Sequence, residues 1–151
     1  MKVFLDTDVL VSALATRGLG ADLFTLVIGE HELVIGEQVM AELRKVLRQK
    51  FRVPAKRVDE VESYIRDQAR VGVGAAEPTI KVRDATDGKV LAGAIAGGAD
   101  ILVTGDRDLL DVAGKAPFPI VTPRGFWERL RGDRPKDGRR ARTISRPRRC
   151  R

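Results

Sequence analysis

Val3-Phe4-Leu5-Asp6-Thr7-Asp8-Val9-Leu10 opens the chain with three apolar residues that run straight into Asp6, and Asp8 follows one residue later. A continuous apolar run of this kind reads as a strand buried on both faces of a sheet. A carboxylate at its end costs several kcal/mol if it is buried without a partner. Asp6 therefore calls for a cation, or for a place at the open end of the sheet. The rest of the chain is read for other acids that converge on it.

With 151 residues, 43% of them apolar and 32% charged, the chain is expected to form one soluble domain with a full core. The longest uncharged run, Val90 to Ala99, is ten residues and too short to span a bilayer. Lys2 and the apolar stretch ending at Ala13-Leu14-Ala15 loosely imitate a signal peptide. Asp6 and Asp8 interrupt its would-be hydrophobic region, which rejects that reading. The one cysteine, Cys150, has no intrachain partner, and a cytoplasmic location is expected.

The net charge of +7 is unevenly spread. Residues 131–151 hold 10 Lys/Arg against 2 acids, which leaves 28 − 10 = 18 bases and 21 − 2 = 19 acids elsewhere. The domain is near neutral and the basicity is a tail. From Gly132 onward Gly, Pro, Arg and Lys dominate with no apolar stripe, so a domain over residues 1–131 and a disordered tail over 132–151 are expected.

Val9 to Ala15 and Ala21 to Gly29 read as helices, with Glu32 to Gly36 a second strand between them and the next helix. Glu37 to Phe51 is strongly amphipathic, with Val39, Met40, Leu43, Val46, Leu47 and Phe51 on one stripe and Glu42 beside it. Pro54 opens a helix whose face carries Val58, Val61, Ile65, Gln68 and Ala69 and which frays at Gly72 and Gly74. Thr79 to Val82 is expected as the third strand, Asp87 to Gly97 as a helix, Ala99 to Thr104 as the fourth strand and Pro119 to Val121 as the fifth. Thr122 and Pro123 start a last helix that carries Phe126, Trp127 and Leu130 inward. Strands alternating with helices imply an α/β fold with a parallel sheet covered on both faces.

In such sheets, ligands gather beyond the carboxyl ends of the strands, where the strand order reverses. Asp6 ends the first strand, Asp106 follows the fourth, Asp87 starts the helix leading into the fourth, and Glu42 sits early in the helix after the second. If strands one and four are neighbours, these four can face one crevice, with Asp8 and Asp108 beside them. So many acids together repel one another by several kcal/mol, which hard divalent cations relieve. Carboxylates without His or Cys suit Mg²⁺ or Mn²⁺, one or two ions, and phosphoryl chemistry. The plainer alternative is that Asp87 or Asp106 is simply a helix cap, that Asp84 caps a helix or pairs with Arg83, and that the lone histidine, His31, is exposed and inert.

Phe4 to Leu10, Glu42 within Met40 to Leu43, Arg83 to Ala92, and Gly98 to Leu110 together resemble the four acidic motifs of the PIN-domain family; Pro119 to Pro123 with Phe126 also fits. Among PIN domains the chain is most similar to the toxin components of prokaryotic toxin–antitoxin pairs. The resemblance covers about residues 1–130 and implies a three-layer α/β/α fold with a five-stranded parallel sheet in the order 3-2-1-4-5. It implies a metal-dependent ribonuclease, homodimeric, inhibited by a small cognate antitoxin, with Asp6, Glu42, Asp87 and Asp106 as the catalytic, metal-binding acids. Thr104 and Asp108 would support them. Two positions depart from the family pattern: Asp8 stands where Asn is common, and Ala85-Thr86 stand where Pro and a further acid are usual.

Outside the family pattern, the basic tail residues Arg139, Arg140, Arg142, Arg148 and Arg149 are candidates for RNA phosphate contacts. Two rival readings compete. Asp6-x-Asp8 after an apolar strand also resembles the nucleophile motif of haloacid-dehalogenase-type phosphatases, though Val9-Leu10-Val11 fits it poorly and Glu42 and Asp87 are left unemployed. A non-catalytic RNA-binding module with a structural ion is the other.

Overall fold

The computed structural model describes residues 1–72 and 80–133. Strands β1 (Lys2–Leu5), β2 (Glu32–Gly36), β3 (Ala69–Gly72), β4 (Ile101–Val103) and β5 (Ile120–Val121) form one parallel sheet in the order β3-β2-β1-β4-β5. Helices α1 (Thr7–Ala15), α2 (Leu19–Glu30), α3 (Glu37–Gln49), α4 (Ala55–Gln68), α5 (Ala85–Ala96), α6 (Arg107–Asp111) and α7 (Pro123–Asp133) flank it in a three-layer α/β/α arrangement. No single described helix is long and apolar enough to cross a membrane.

The opening stretch is the middle of this sheet. Val3 pairs with Leu33 on one side and Ile101 on the other, and Phe4 with Val34 and Leu102. With neighbours at both edges and helices on both faces, every position after Lys2 is interior, which is why the apolar run is continuous and not alternating. Val3, Phe4 and Leu5 are wholly buried, each stabilising the fold by roughly 1.5–3 kcal/mol. The chain steps outward from β1 to β2 and β3, then returns to the other side of β1 as β4. The order therefore reverses between β1 and β4, and the residues that follow these two strands are Asp6 and Thr104.

Three expectations are corrected. The third strand is Ala69–Gly72, not Thr79 to Val82: Thr79 lies outside the described residues, and Ile80 to Val82 is not strand. It pairs only with β2 at the end of the sheet order, so it needs few apolar residues, and it follows α4 with no intervening turn to announce it. Ile80 and Val82 pack against the core from irregular backbone instead.

His31 is half-buried; its Nδ1 is enclosed without a hydrogen-bond partner, and its ring lies edge-on to Phe126 at 6.4 Å. That burial, with the positive amino terminus nearby, holds its pKa below the usual histidine value.

Phe51 is 44% exposed and does not continue the buried stripe of Val39, Met40, Leu43 and Leu47. The reason is the end of α3. The helix stops at Gln49, Arg52 adopts φ = +51°, and the Val53 N–H donates back to the Leu47 carbonyl. The chain turns before Phe51 can come round to the core.

Two further boundaries follow local chemistry. Pro54 stands one residue before α4, and Asp84 caps α5 by accepting from the Thr86 N–H at 2.8 Å. Helix α7 buries Phe126 completely and half-buries Trp127 and Leu130. It ends at Asp133, and the remaining tail lies outside the described residues.

Helix α5 sits close on β2 because small residues face it. A Cβ placed on Gly97 would stand 2.6 Å from Cγ1 of the wholly buried Val34 and 3.3 Å from the Gly93 carbonyl. Gly97→Ala is expected to destabilise the fold by about 1–3 kcal/mol through overpacking. A urea titration should show a lower midpoint with an unchanged slope; an unchanged midpoint would mean that α5 can lift off β2 at no cost.

Candidate metal centre

Each of the four acids singled out in the sequence reaches one cavity of about 730 Å³, beyond the carboxyl ends of β1 and β4. Asp6, Glu42, Asp87 and Asp106 all line it, and so does Asp8. Asp108 does not line it, but its carboxylate lies within 4.8 Å of those of Asp87 and Asp106, so these three alone could hold a cation.

Asp6 is placed by the strand and fixed by three neighbours. Its backbone N–H donates to the Val103 carbonyl, which continues the β1–β4 ladder by one bond. Its Oδ1 accepts from the Thr7 N–H at 2.7 Å and its Oδ2 from the Thr104 hydroxyl at 2.8 Å. Thr104, wholly buried, also accepts at Oγ1 from the Asp106 N–H at 3.0 Å. One hydroxyl therefore ties the ends of the two central strands together at the site.

Asp106 caps α6, accepting from the Asp108 N–H at 2.9 Å. The cap alternative is thus realised for Asp106, which lines the cavity as well. Asp87 is not a cap: Asp84 has that role, and Asp87 points inward from the first turn of α5. Asp8 is exposed and accepts from the Gly105 N–H at 2.8 Å, so it lies across the β4–α6 turn. Glu42 is held by residues the sequence reading passed over: the Thr7 hydroxyl at 2.9 Å and the Gln38 amide at 3.4 Å. Thr7 could have been noticed as the one hydroxyl between Asp6 and Asp8.

No ion pair among the described residues reaches any of these acids; all involve other carboxylates. The electrostatic consequence is large. Burial, then the charges of Asp8 and Glu42, raise the Asp6 pKa to about 6 against the lowering bonds from Thr104 and Thr7. Burial, then Asp106, Asp84 and Asp6, raise that of Asp87 to about 7. Two carboxyls that resist ionisation, with converging all-oxygen neighbours and no His or Cys, make a donor set that fits a hard divalent cation.

The arginines considered for nucleic-acid contact, Arg139, Arg140, Arg142, Arg148 and Arg149, lie outside the described residues.

Among solved structures, the chain is similar to VapBC2 from Rickettsia felis, solved bound to a DNA fragment from its promoter, at 16% identity and a TM-score of 0.56 over 81% of this chain and 98% of that one. It is similar to VapBC-1 from nontypeable Haemophilus influenzae at 14% identity and a TM-score of 0.59, over 80% and 98% of the respective chains. At these identities the likeness is one of fold. No curated protein matches the sequence. Residues 2–108 match the PIN domain, a span that includes every acid of the cavity, and the chain belongs to the PIN-domain family.

Proposed function

We propose that this protein is a metal-dependent endoribonuclease and the toxin of a toxin–antitoxin pair, hydrolysing RNA phosphodiester bonds in the cytoplasm. The observation that carries this reading is the convergence of Asp87, Asp106 and Asp108 oxygens within 4.8 Å, in company with Asp6 and Glu42 and with no ion pair to them among the described residues. Asp6, Glu42, Asp87 and Asp106 would hold one or two Mg²⁺ or Mn²⁺ ions, with Asp8, Thr104 and Asp108 in support. Bound there, such an ion lowers the pKa of a water and compensates charge on the leaving oxygen.

The chain's own contribution is placement. Thr7 and Thr104 fix both oxygens of Asp6, so its carboxylate cannot rotate away from the cavity. The Thr7 hydroxyl directs Glu42 toward the same space from the opposite helix. No side-chain nucleophile is required. Likeness to two VapBC proteins supports a small antitoxin partner, and a homodimer is part of the same proposal. The tail arginines would add sequence-independent phosphate contacts.

The test is purified full-length protein incubated with total RNA in Mg²⁺, Mn²⁺ or EDTA. Cleavage in either metal that EDTA abolishes is expected, with a salt dependence that weakens when residues 134–151 are removed. A protein that binds Mn²⁺ yet cuts no RNA would overturn the reading in favour of a non-catalytic module.

A further inference from the structure

The cavity extends well beyond the acids. It is a trough between α1 and α3, and its two ends differ in chemistry. Glu42 and Val46 on α3 and Lys50, which caps its end in helical conformation, stand at successive intervals of four, so they share one face, with Lys50 about 12 Å along the axis from Glu42. Val11 and Ala15 form the facing wall on α1. The far end is closed by Phe51, whose ring is 44% exposed. Among the described residues Lys50 is the only cationic side chain lining the cavity, and its Nζ lies 6.0 Å from the centre of the Phe51 ring.

An acidic, cation-seeking end, an apolar middle and a Lys–aromatic far end match the parts of a single-stranded ribonucleotide chain. We infer that Phe51 is a stacking platform for a nucleobase flanking the scissile phosphate, and that Lys50 contacts the phosphate beside that base. The inference rests on the nuclease reading and adds to it the two residues that would grip the strand on one side of the cut, without hydrogen-bond readout of the base. Stacking on an aromatic face is tolerant of base identity, and the Lys50 ammonium over the Phe51 ring adds a cation–π contact to the grip.

The experiment is fluorescence anisotropy of a fluorescein-labelled single-stranded oligoribonucleotide with the Asp87→Asn protein in Mg²⁺, a background that does not cut the probe. Phe51→Ala is expected to weaken binding by about 5- to 100-fold and Phe51→Trp to preserve it, while Phe51→Leu, apolar but without a π face, behaves like Ala. Lys50→Gln should reduce the slope of log affinity against log salt by about 0.7, the loss of one single-strand phosphate contact. Equal affinity of Phe51→Ala and its parent overturns the inference. So does a Phe51→Ala defect confined to association with a protein partner.

Cleavage of the unlabelled strand by otherwise wild-type protein runs in parallel. If that protein cuts RNA and Phe51→Ala binds normally, only the platform falls. If that protein cuts nothing in either metal, the nuclease reading itself falls.

Discussion

Asp87→Asn is expected to lose metal-dependent RNA cleavage by a factor of about 1,000 or more while making the metal-free protein more stable. The first half follows from its position. Asp87 shares a metal-sized space with Asp106 and Asp108, and an amide is a poor ligand for a hard divalent ion. The second half follows from the same burial. The folded protein holds the Asp87 carboxyl with a pKa raised to about 7, because desolvation and the Asp106 charge oppose its ionisation.

Asparagine carries no charge and can donate to Asp106, so at pH 7.5 the substitution should remove a penalty of about 1–3 kcal/mol and raise Tm by roughly 3–10 °C. Thermal melts in EDTA beside the RNA assay test both halves. A variant that is inactive but less stable would show that Asp87 has a structural role that the hydrogen bonds do not reveal. Asp6→Asn should lose activity equally, but its stability gain is expected to be smaller. Asp6 caps α1 and accepts from two donors, and an amide can keep only one of those bonds as an acceptor.

The second large effect is a reversed pH dependence in the absence of metal. Both Asp6 and Asp87 bind a proton more tightly folded than unfolded, with folded pKa values of about 6 and about 7 against ordinary values of 3.8. Protonation therefore favours the fold. That contribution is complete below pH 4, is lost as the pH rises through about 6 and then about 7, and is absent above pH 8. For most carboxylates the sign is the opposite.

The difference in stability between the wild type and Asp87→Asn isolates the part due to Asp87: near zero at pH 4, growing to its full size by pH 8. A divalent cation binds the ionised acids, so stabilisation by Mn²⁺ should be small at pH 5 and exceed about 2.7 kcal/mol at pH 8 with metal a hundredfold above its dissociation constant. Mn²⁺ stabilisation equal at the two pH values would remove the acids from the site of binding.

The sequence was most informative where one physical demand acts alone. Val3-Phe4-Leu5 and Ile101-Leu102-Val103 are buried on both faces, so nothing but apolar residues serves, and both strands could be read directly. Asp6 and Asp106 follow these strands, so their convergence needed only the assumption that the two strands are neighbours.

Legibility failed where position in the sheet or the end of an element decides. Ala69–Gly72 pairs on one side only and could be built from residues that look like the end of a helix. Phe51 fits the α3 periodicity, but periodicity contains no signal for where α3 stops, and Arg52 is not a residue type that announces a left-handed turn. Thr7 and Gln38 were missed because a hydroxyl and an amide that orient another side chain leave no spacing pattern.

Four carboxylates of the cavity belong to the amino ends of helices: Asp6 caps α1 with Asp8 in its first turn, Asp106 caps α6, and Asp87 lies in the first turn of α5. Each such end offers inward-pointing N–H groups and a partial positive charge, and two of the acids spend an oxygen on them. The scaffold thus carries the repulsion on its own, without waiting for an ion to assemble it. Metal capture then becomes an exchange of protons for a cation within a preformed frame, and loading should leave the far-ultraviolet circular dichroism unchanged while releasing protons to a weakly buffered solution.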